Sequence, residues 1–269
     1  MPIVSVNQLW LHQDLRVDDL SFLGREAPSW DVIFWCIAGL FAIAVVHSSN
    51  ASMSDWRALG REIRSVRIAL PRRILLVLPG LAAIIAVMWL GVDAPLVAIA
   101  ERVQSDTVES IIRVFNRLAG GMNPPMIVLF FLIAGVAYRR DRWMRIGMAM
   151  ALASLSAGLI AQILKFIVGR TRPELWLGPF HYVRGTANSF PSGHTVAAFA
   201  LGGVLLFASR SVILRTIAVL LACAVAGARV LAFRHWPSDV VASALIALLA
   251  AWIATAVVTS VTRRTEDAV

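Results

Sequence analysis

Charged residues are scarce in this chain, and lysine is nearly absent. Of the 269 residues, 59% are hydrophobic and only 15% are charged, whereas a soluble domain usually carries about 25% charged residues. This scarcity excludes an ordinary soluble protein. Because apolar runs occur along almost the whole length, we predict a single integral membrane domain.

The chain has only two cysteines, and its N-terminus does not look like a targeting signal. Cys36 and Cys223 lie inside apolar runs, outside any CxxC or Cys/His grouping, so neither a disulfide nor a structural zinc site is predicted. The N-terminus has no basic start and no sustained apolar core, which argues against a cleavable signal peptide. The net charge of +9 does not indicate nucleic-acid binding, since most basic residues cluster between apolar runs, where topology-setting charges belong.

Seven apolar runs are predicted to cross the membrane, so the predicted fold class is all-α integral membrane. Each run is roughly long enough for the ~30 Å hydrocarbon layer, and the third is the shortest. The predicted spans are 31–48, 74–93, 125–139, 145–167, 193–209, 211–232 and 239–261.

Arginine clusters predict how these spans are oriented. Four clusters, each separated from the next by two spans, lie in the 49–73 loop, in the 139–145 turn, at Arg210 and Arg215, and at Arg263 and Arg264. By the positive-inside rule these regions are cytoplasmic, and so is the C-terminus. The regions predicted to lie outside are 1–30, 94–124, 168–192 and 233–238. The mixed apolar and charged segment 94–124 is predicted to be either an amphipathic helix on the outer membrane surface or an ordinary loop packed on the bundle.

Three polar stretches fall at the outer end of the predicted bundle. They are KFIVGRTRP (165–173), SFPSGHT (189–195) and RVLAFRHWPSD (229–239). Ionisable groups in or beside membrane spans are candidates for function. Lys165, the only lysine among the 25 Lys and Arg residues, lies in the first stretch. Alternatively, Lys165 extends from a helix end so that its ammonium reaches the membrane interface, without a role in the chemistry.

The residue types in these stretches suit a tetrahedral anion. Lys165, Arg172 and Arg229 supply positive charge. Ser192 is predicted to begin a helix whose free N–H groups bind an anion, or simply to cap that helix. No carboxylate cluster is present to hold a divalent cation, so neither a metal nor another cofactor is predicted.

Two histidines can divide the remaining chemistry between a nucleophile and a leaving-group acid. Asp239 follows His235 by four residues, so its carboxylate is predicted to reach one imidazole nitrogen and leave the other as the nucleophile. A purely structural His–Asp pair is the alternative.

Together these motifs resemble a known signature. Lys165-x6-Arg172-Pro173, Pro191-Ser192-Gly193-His194 and Arg229-x5-His235-x3-Asp239 resemble the three-part signature of the type 2 phosphatidic acid phosphatase (PAP2) superfamily. Where the family usually has serine before the third-motif arginine, this chain has Ala228. The resemblance covers 74–261 and implies a six-helix PAP2-type bundle. Residues 1–73 would then be an N-terminal extension with one further transmembrane helix, and 262–269 a cytoplasmic tail.

The resemblance also implies a role for each residue. His235 would form a phosphohistidine, Asp239 would orient it, and His194 would protonate the leaving group, without a metal. The implied phosphate-binding residues are Lys165, Arg172, Ser192, Gly193 and Arg229. Four residues in the same outer loops are either headgroup contacts or solvated loop residues: Arg170, His181, Arg184 and Arg234.

The function implied by the resemblance is a lipid phosphate or pyrophosphate phosphatase at the outer face of the inner membrane. Substrates of related proteins are undecaprenyl pyrophosphate, which we place first, phosphatidylglycerophosphate, phosphatidate and lipid A phosphate. A phosphotransferase acting on an acceptor lipid and a transporter that binds a lipid phosphate without cleaving it are the alternatives. The expected partners are lipid phosphates and membrane lipids, not nucleic acid; the sequence indicates nothing about protein partners.

Overall fold

The computed structural model describes residues 72–120, 123–183 and 189–266, which fold into helices. The predicted span 31–48 and nearly all of the 49–73 loop lie outside the described residues. The helices are α1 (Arg72–Val87), α2 (Asp93–Arg102), α3 (Asp106–Ala119), α4 (Asn123–Ala137), α5 (Asp141–Val168), α6 (Gly193–Ala208), α7 (Val212–Leu231) and α8 (Pro237–Glu266). A π-helical turn, Met88–Val92, joins α1 to α2, and a 3-10 turn, Pro173–Leu175, follows α5. The all-α prediction is confirmed for this part of the chain.

The chain is a multi-pass membrane protein. Among the described residues, four helical stretches are long and apolar enough to span a membrane, or five if the bent pair α3 and α4 counts as one. The four are Pro79–Arg102, Asp141–Val168, Val212–Leu231 and Pro237–Ser260. The first extends beyond the predicted span 74–93, because the helix continues through the π-helical turn into α2. The predicted span 193–209 is α6, whose 16 residues cover about 24 Å at ~1.5 Å per residue.

The core lies where α8 packs against α6 and α5. On α5, alanines recur at every fourth position and are buried: Ala149, Ala153, Ala157 and Ala161. Such small residues let helix backbones approach closely, which is how helices associate in a membrane. Between α6 and α8, a Cβ added to Gly203 would lie 2.8 Å from the Ala251 Cβ. Several large apolar side chains of α5, such as Phe166 and Ile167, are exposed and available to contact lipid.

The ends of two helices position the polar stretches. Helix α5 ends at Gly169, whose φ of 62° is a left-handed conformation that glycine adopts without steric cost. Helix α6 begins after Ser192, whose hydroxyl accepts a hydrogen bond from the Thr195 N–H, as an N-cap residue does. Both ends fall within the stretches that the sequence marks as polar.

The segment 94–124 is helical rather than an irregular loop. It contains most of α2 and the whole of α3, separated by a short break at 103–105. Helix α3 is capped by Ser105 and buries Ile112 and Ala119, while Ile111 and Val114 are exposed. Its main neighbour is α7. Helix α3 is therefore an amphipathic helix packed on the bundle, whereas most of α2 belongs to the candidate span Pro79–Arg102 and not to an outer loop. The position of α3 at the outer membrane surface stays a prediction.

Candidate active site

The three predicted stretches meet at one end of the bundle. The C-terminal turn of α5 carries Lys165, the first turn of α6 carries His194, and His235 lies between α7 and α8. The charges of Lys165, Arg172 and Arg229 act on both histidines. The structure therefore brings together the two histidines and the three cations that the sequence singled out.

His235 is held by a backbone carbonyl. Its Nδ1 lies 2.6 Å from the Ser189 carbonyl oxygen, and the residue is only 3% exposed. A carbonyl can only accept a hydrogen bond, so Nδ1 carries the hydrogen and Nε2 keeps its lone pair. Burial, with the charges of Arg229, Arg172 and Lys165, lowers the pKa of this imidazole well below its ordinary value of 6.5; the Ser189 bond opposes that shift. The geometry thus gives a neutral imidazole with a nucleophilic Nε2.

Asp239 does not make the predicted contact with His235. Its Oδ1 accepts from Arg170 Nη1 at 2.6 Å. Its Oδ2 accepts from the Ser189 hydroxyl and, at 3.0 Å, from the Trp236 N–H. At the start of α8 the carboxylate folds back onto the chain, because the buried guanidinium and the free N–H groups of the first turn attract it. Asp239 therefore holds the two residues that border His235 in space and in sequence, Ser189 and Trp236, instead of the imidazole.

Arg170 is a buried structural residue, not the headgroup contact considered from the sequence. It is 0% exposed, and Nη2 lies 2.7 Å from Asp93 Oδ2. Its Nε donates to the Pro179 carbonyl at 3.0 Å, and its guanidinium carbon lies 4.3 Å from the centroid of the Trp89 ring. Asp93 also accepts from the N–H and hydroxyl of Ser238. A carboxylate–arginine–carboxylate chain thus ties the start of α2 to the start of α8.

The start of α6 faces Lys165. A Cβ added to Gly193 would lie 3.6 Å from the Lys165 Nζ. The backbone of the first turn of α6 and the Lys165 ammonium are therefore close neighbours. The Ser192 hydroxyl accepts from the N–H and hydroxyl of Thr195, and the Ser192 N–H donates to the Ser243 hydroxyl at 2.7 Å. Ser192 is thus a buried helix cap whose own hydroxyl hydrogen can still be donated.

His194 lies beside the end of α3. A Cβ added to Gly120 would be 3.1 Å from the His194 Nε2. One turn earlier, Asn116 accepts from Arg229 Nη1 through its Oδ1 at 3.0 Å. Helix α3, which the sequence gave no part in the chemistry, therefore forms one wall of the site.

Two phosphate-binding candidates carry unpaired buried donors. Among the described residues, the Nε atoms of Arg172 and Arg229 are buried without a hydrogen-bond partner. Most buried polar atoms in proteins are paired, so each such donor calls for an explanation. A phosphate oxygen is the kind of acceptor that these two donors lack.

The remaining headgroup candidates fall in different places. Arg234 is 46% exposed and pairs with Glu174 at 2.9 Å, and Glu174 also lies 3.4 Å from Arg172. The His181 side chain is exposed, and its backbone carbonyl accepts from the N–H and hydroxyl of Thr171. Arg184 lies outside the described residues.

Sequence reasoning missed several residues of this site, among them Asp93, Ser189 and Asn116. Asp93 had a signal, since an acid within an apolar helix is costly unless paired. Ser189 acts mainly through its backbone carbonyl, and Asn116 lies on a segment far away in sequence, so neither had a local pattern. Within residues 72–120, 123–183 and 189–266, no group of three or more His, Cys, Asp or Glu lies close enough to hold a metal ion.

A family model described as the PAP2 superfamily matches residues 143–263. The match begins two residues inside α5 and ends three residues before the end of α8. It therefore includes all three motifs. The family predicted from the motifs is confirmed.

Two curated relatives are lipid A 1-phosphatases. The protein from Rhizobium johnstonii is 36% identical over 107 residues, which are 36% of this chain and 41% of the relative. The protein from Rhizobium etli is 38% identical over 96 residues, which are 32% of this chain and 39% of the relative. The aligned part is therefore about two fifths of the length of these relatives.

Two solved structures share the fold. The crystal structure of Aquifex aeolicus LpxE superposes with a TM-score of 0.50 at 22% identity, covering 61% of this chain and 94% of that one. The crystal structure of a PAP2-type phosphatidylglycerolphosphate phosphatase from Bacillus subtilis superposes with a TM-score of 0.55 at 20% identity, covering 67% of this chain and 92% of that one. The described helices thus adopt a PAP2 transmembrane fold.

Proposed function

We propose that this chain, whose residues 143–263 match the PAP2 superfamily model, is a phosphatase that removes a phosphate from a membrane lipid through a phosphohistidine intermediate, without a metal. The observation that carries the proposal is His235, held in the Nδ1–H tautomer by the Ser189 carbonyl and surrounded by three cations. A site that only bound a lipid phosphate for transport would not need a neutral imidazole with a free Nε2.

In the first proposed step, Nε2 of His235 attacks phosphorus. A P–N bond forms while the bond from phosphorus to the leaving oxygen breaks, and His194 gives its proton to that oxygen. In the second step, water attacks phosphorus, the P–N bond breaks, and His194 takes a proton from the water. Proton balance is thereby restored, and inorganic phosphate leaves.

We assign the phosphate oxygens to Lys165, Arg172, Ser192, Gly193 and Arg229. Positioned positive charge is the main contribution a protein makes to phosphoryl transfer. The unpaired Nε atoms of Arg172 and Arg229 support this assignment. Asn116 and Glu174 would hold the two guanidinium groups in place, since each accepts a hydrogen bond from one of them.

We assign Asp239 to positioning rather than to direct contact with the nucleophile. Through the Ser189 hydroxyl and the Trp236 N–H it holds the segments that place His235. Arg170 and Asp93 would fix Asp239 in turn. Loss of this network would move the imidazole without removing it.

For the substrate, we now place lipid A 1-phosphate ahead of undecaprenyl pyrophosphate. The support is the name of the two curated relatives, lipid A 1-phosphatase. Phosphatidylglycerophosphate follows, because it is named for a structural neighbour. Arg234 and His181, at the exposed rim, are the candidates for contact with the rest of the headgroup.

We further propose a six-helix core at 74–261 that faces the outside with its polar end, preceded by an extension at 1–73 with one more transmembrane helix and followed by a cytoplasmic tail at 262–269. The six predicted spans would be Pro79–Arg102, α4, α5, α6, α7 and α8. The support is the alternation of arginine-rich turns along the sequence.

The test is release of inorganic phosphate from a panel of lipid phosphates by purified protein, with and without chelator. We expect the wild type to act without added metal, and His235→Ala to lose activity by at least about 10³-fold, as losing a covalent nucleophile does. His235→Asn, which can keep a hydrogen bond to the Ser189 carbonyl, checks that the loss is chemical and not structural. Full activity in either variant would refute the phosphohistidine. Radiolabel transferred to an acceptor lipid would identify a phosphotransferase instead.

A further inference from the structure

A cavity of about 340 Å³ lies between α5, α6 and α8, away from the candidate active site. Its walls come from the first turns of α5, the last turn of α6 with the residues after it, and the C-terminal half of α8. The lining residues are Arg142, Arg145, Ile146, Ala149, Phe207, Ala208, Arg210, Thr255, Val258 and Thr259.

This cavity is at the opposite end of the bundle from His235. Arg145 in the cavity and Lys165 in the candidate active site lie on the same helix, α5. At ~1.5 Å per residue they are about 30 Å apart, close to the ~30 Å thickness of the hydrocarbon layer. The cavity therefore opens toward the other leaflet of the membrane.

The polar part of the cavity suits a phosphate group. Arg142, Arg145 and Arg210 line it, and none of the described lining residues is acidic. Within the described part of the chain, Arg142 makes one long hydrogen bond, 3.4 Å, to the Ala208 carbonyl. The Thr255 hydroxyl, on the wall formed by α8, is buried and has no hydrogen-bond partner among the described residues. Guanidinium groups bind phosphate oxygens in pairs, and a buried hydroxyl gains from any added partner.

Apart from Thr259, the rest of the lining is apolar, which distinguishes a lipid from a free anion. Ile146, Ala149 and Val258 line the cavity, and Phe207 is 41% exposed. A phosphate with a hydrocarbon chain would bind the arginines and cover these side chains at once. Inorganic phosphate would make favourable contacts with the arginines alone.

We propose that this cavity binds the phosphate headgroup of an anionic phospholipid in the leaflet opposite to the candidate active site. Basic pockets between transmembrane helices are known to bind such headgroups. The bound lipid would brace α5, α6 and α8 at the end where they are not joined by the polar network around Asp239. This inference does not depend on the phosphatase proposal.

The experiment uses the full-length protein in detergent, titrated with phosphatidylglycerol or with phosphatidylcholine of the same acyl chains. The midpoint of thermal unfolding is followed at each lipid concentration. We expect phosphatidylglycerol, and not phosphatidylcholine, to raise the midpoint. In the double variant Arg142→Gln/Arg210→Gln, the concentration for half of the effect should rise by about tenfold or more, since each basic residue near the headgroup contributes separately.

Two further variants guard against misfolding and unspecific charge effects. Arg210→Gln alone changes an exposed side chain, so its fold should be intact and its response intermediate. Arg140→Gln removes an exposed arginine at the same end that does not line the cavity, and it should respond as the wild type does. An unchanged response in the double variant, or equal effects of the two lipids, would overturn the proposal. Displacement of the lipid by inorganic phosphate at similar concentration would overturn the assignment to a lipid.

Discussion

At the scale of single residues, the nucleophilic form of His235 is set by a main-chain oxygen. The Ser189 carbonyl at 2.6 Å fixes the tautomer more firmly than a carboxylate would, because it has no protonated form. A carboxylate beside the ring would also favour the charged imidazolium. Asp239 does not touch the ring but binds the residues next to it, and its charge is balanced by Arg170.

The first prediction concerns the protonation of His235. The neutral form is the nucleophile, and a lowered pKa means that less of the ring is protonated at any acidic pH. We therefore expect His235 to stay neutral, as the Nδ1–H tautomer, while the pH falls through 6.5. The measurement is ¹⁵N NMR of histidine-labelled protein, with the His235 signal identified by its loss in His235→Gln. An Nε2–H tautomer, or a titration midpoint at or above 6.5, would contradict it.

The second prediction separates Arg170 from a headgroup contact. Arg170→Gln leaves two buried carboxylates, Asp93 and Asp239, without their shared counter-charge, so the free energy of unfolding should fall by about 3–5 kcal/mol. The matched control is Arg234→Gln, which breaks an exposed pair with Glu174 and should cost less than ~1 kcal/mol. Denaturant titration of both proteins decides the point. Equal stability of the two variants would show that Arg170 is not structural.

At the scale of helices, small residues decide how closely the elements pack. Helices α6 and α8 approach so closely at Gly203 that an added methyl group would meet the Ala251 Cβ at 2.8 Å. This contact lies between the candidate active site and the basic cavity. It therefore helps to set the relative position of the residues that α6 and α8 contribute at both ends.

The third prediction tests this contact with two glycine substitutions. Gly203→Ala should destabilise the protein by about 1–3 kcal/mol, the usual cost of overpacking a core. Gly227→Ala adds the same methyl group on α7, where no described residue apart from the neighbouring turns of the helix itself lies within 4 Å, and should be neutral or stabilise the helix by up to about 1 kcal/mol. Thermal unfolding in detergent compares them. A Gly203→Ala protein as stable as Gly227→Ala would rule out the tight contact.

At the scale of the whole molecule, the arrangement is a bundle with two polar ends. One end carries the histidines and cations of the candidate active site, and the other carries the arginine-lined cavity. Both ends are positively charged, so both would attract lipid phosphates, each from its own leaflet.

The fourth prediction fixes which end faces outside. In a protein whose Cys36 and Cys223 are changed to serine, Phe180→Cys places one exposed thiol near the candidate active site, and Arg140→Cys places one at the other end. A membrane-impermeant maleimide should label Phe180→Cys in intact cells. It should label Arg140→Cys only after the inner membrane is opened, because arginine-rich turns are retained in the cytoplasm. The reverse pattern would invert the proposed orientation.

The sequence by itself determined the family, the helical membrane fold, and the two histidines and three cations that converge on the site. Hydrophobic runs dictate helices in lipid because every backbone polar group must be paired within its own segment. Lys165 and His194 lie in the terminal turns of α5 and α6, and His235 lies just before α8, so the ends of the predicted helices already marked the positions of all three.

Only the tertiary structure decided which atoms touch. In it, His235 bonds to the Ser189 carbonyl, Arg170 is buried between Asp93 and Asp239, and Asn116 bonds to Arg229. These pairings join segments distant in the chain, and they depend on which of several nearby carboxylates and carbonyls each donor reaches. That choice is made by helix packing, since an offset of four residues allows a contact between His235 and Asp239 but does not require it.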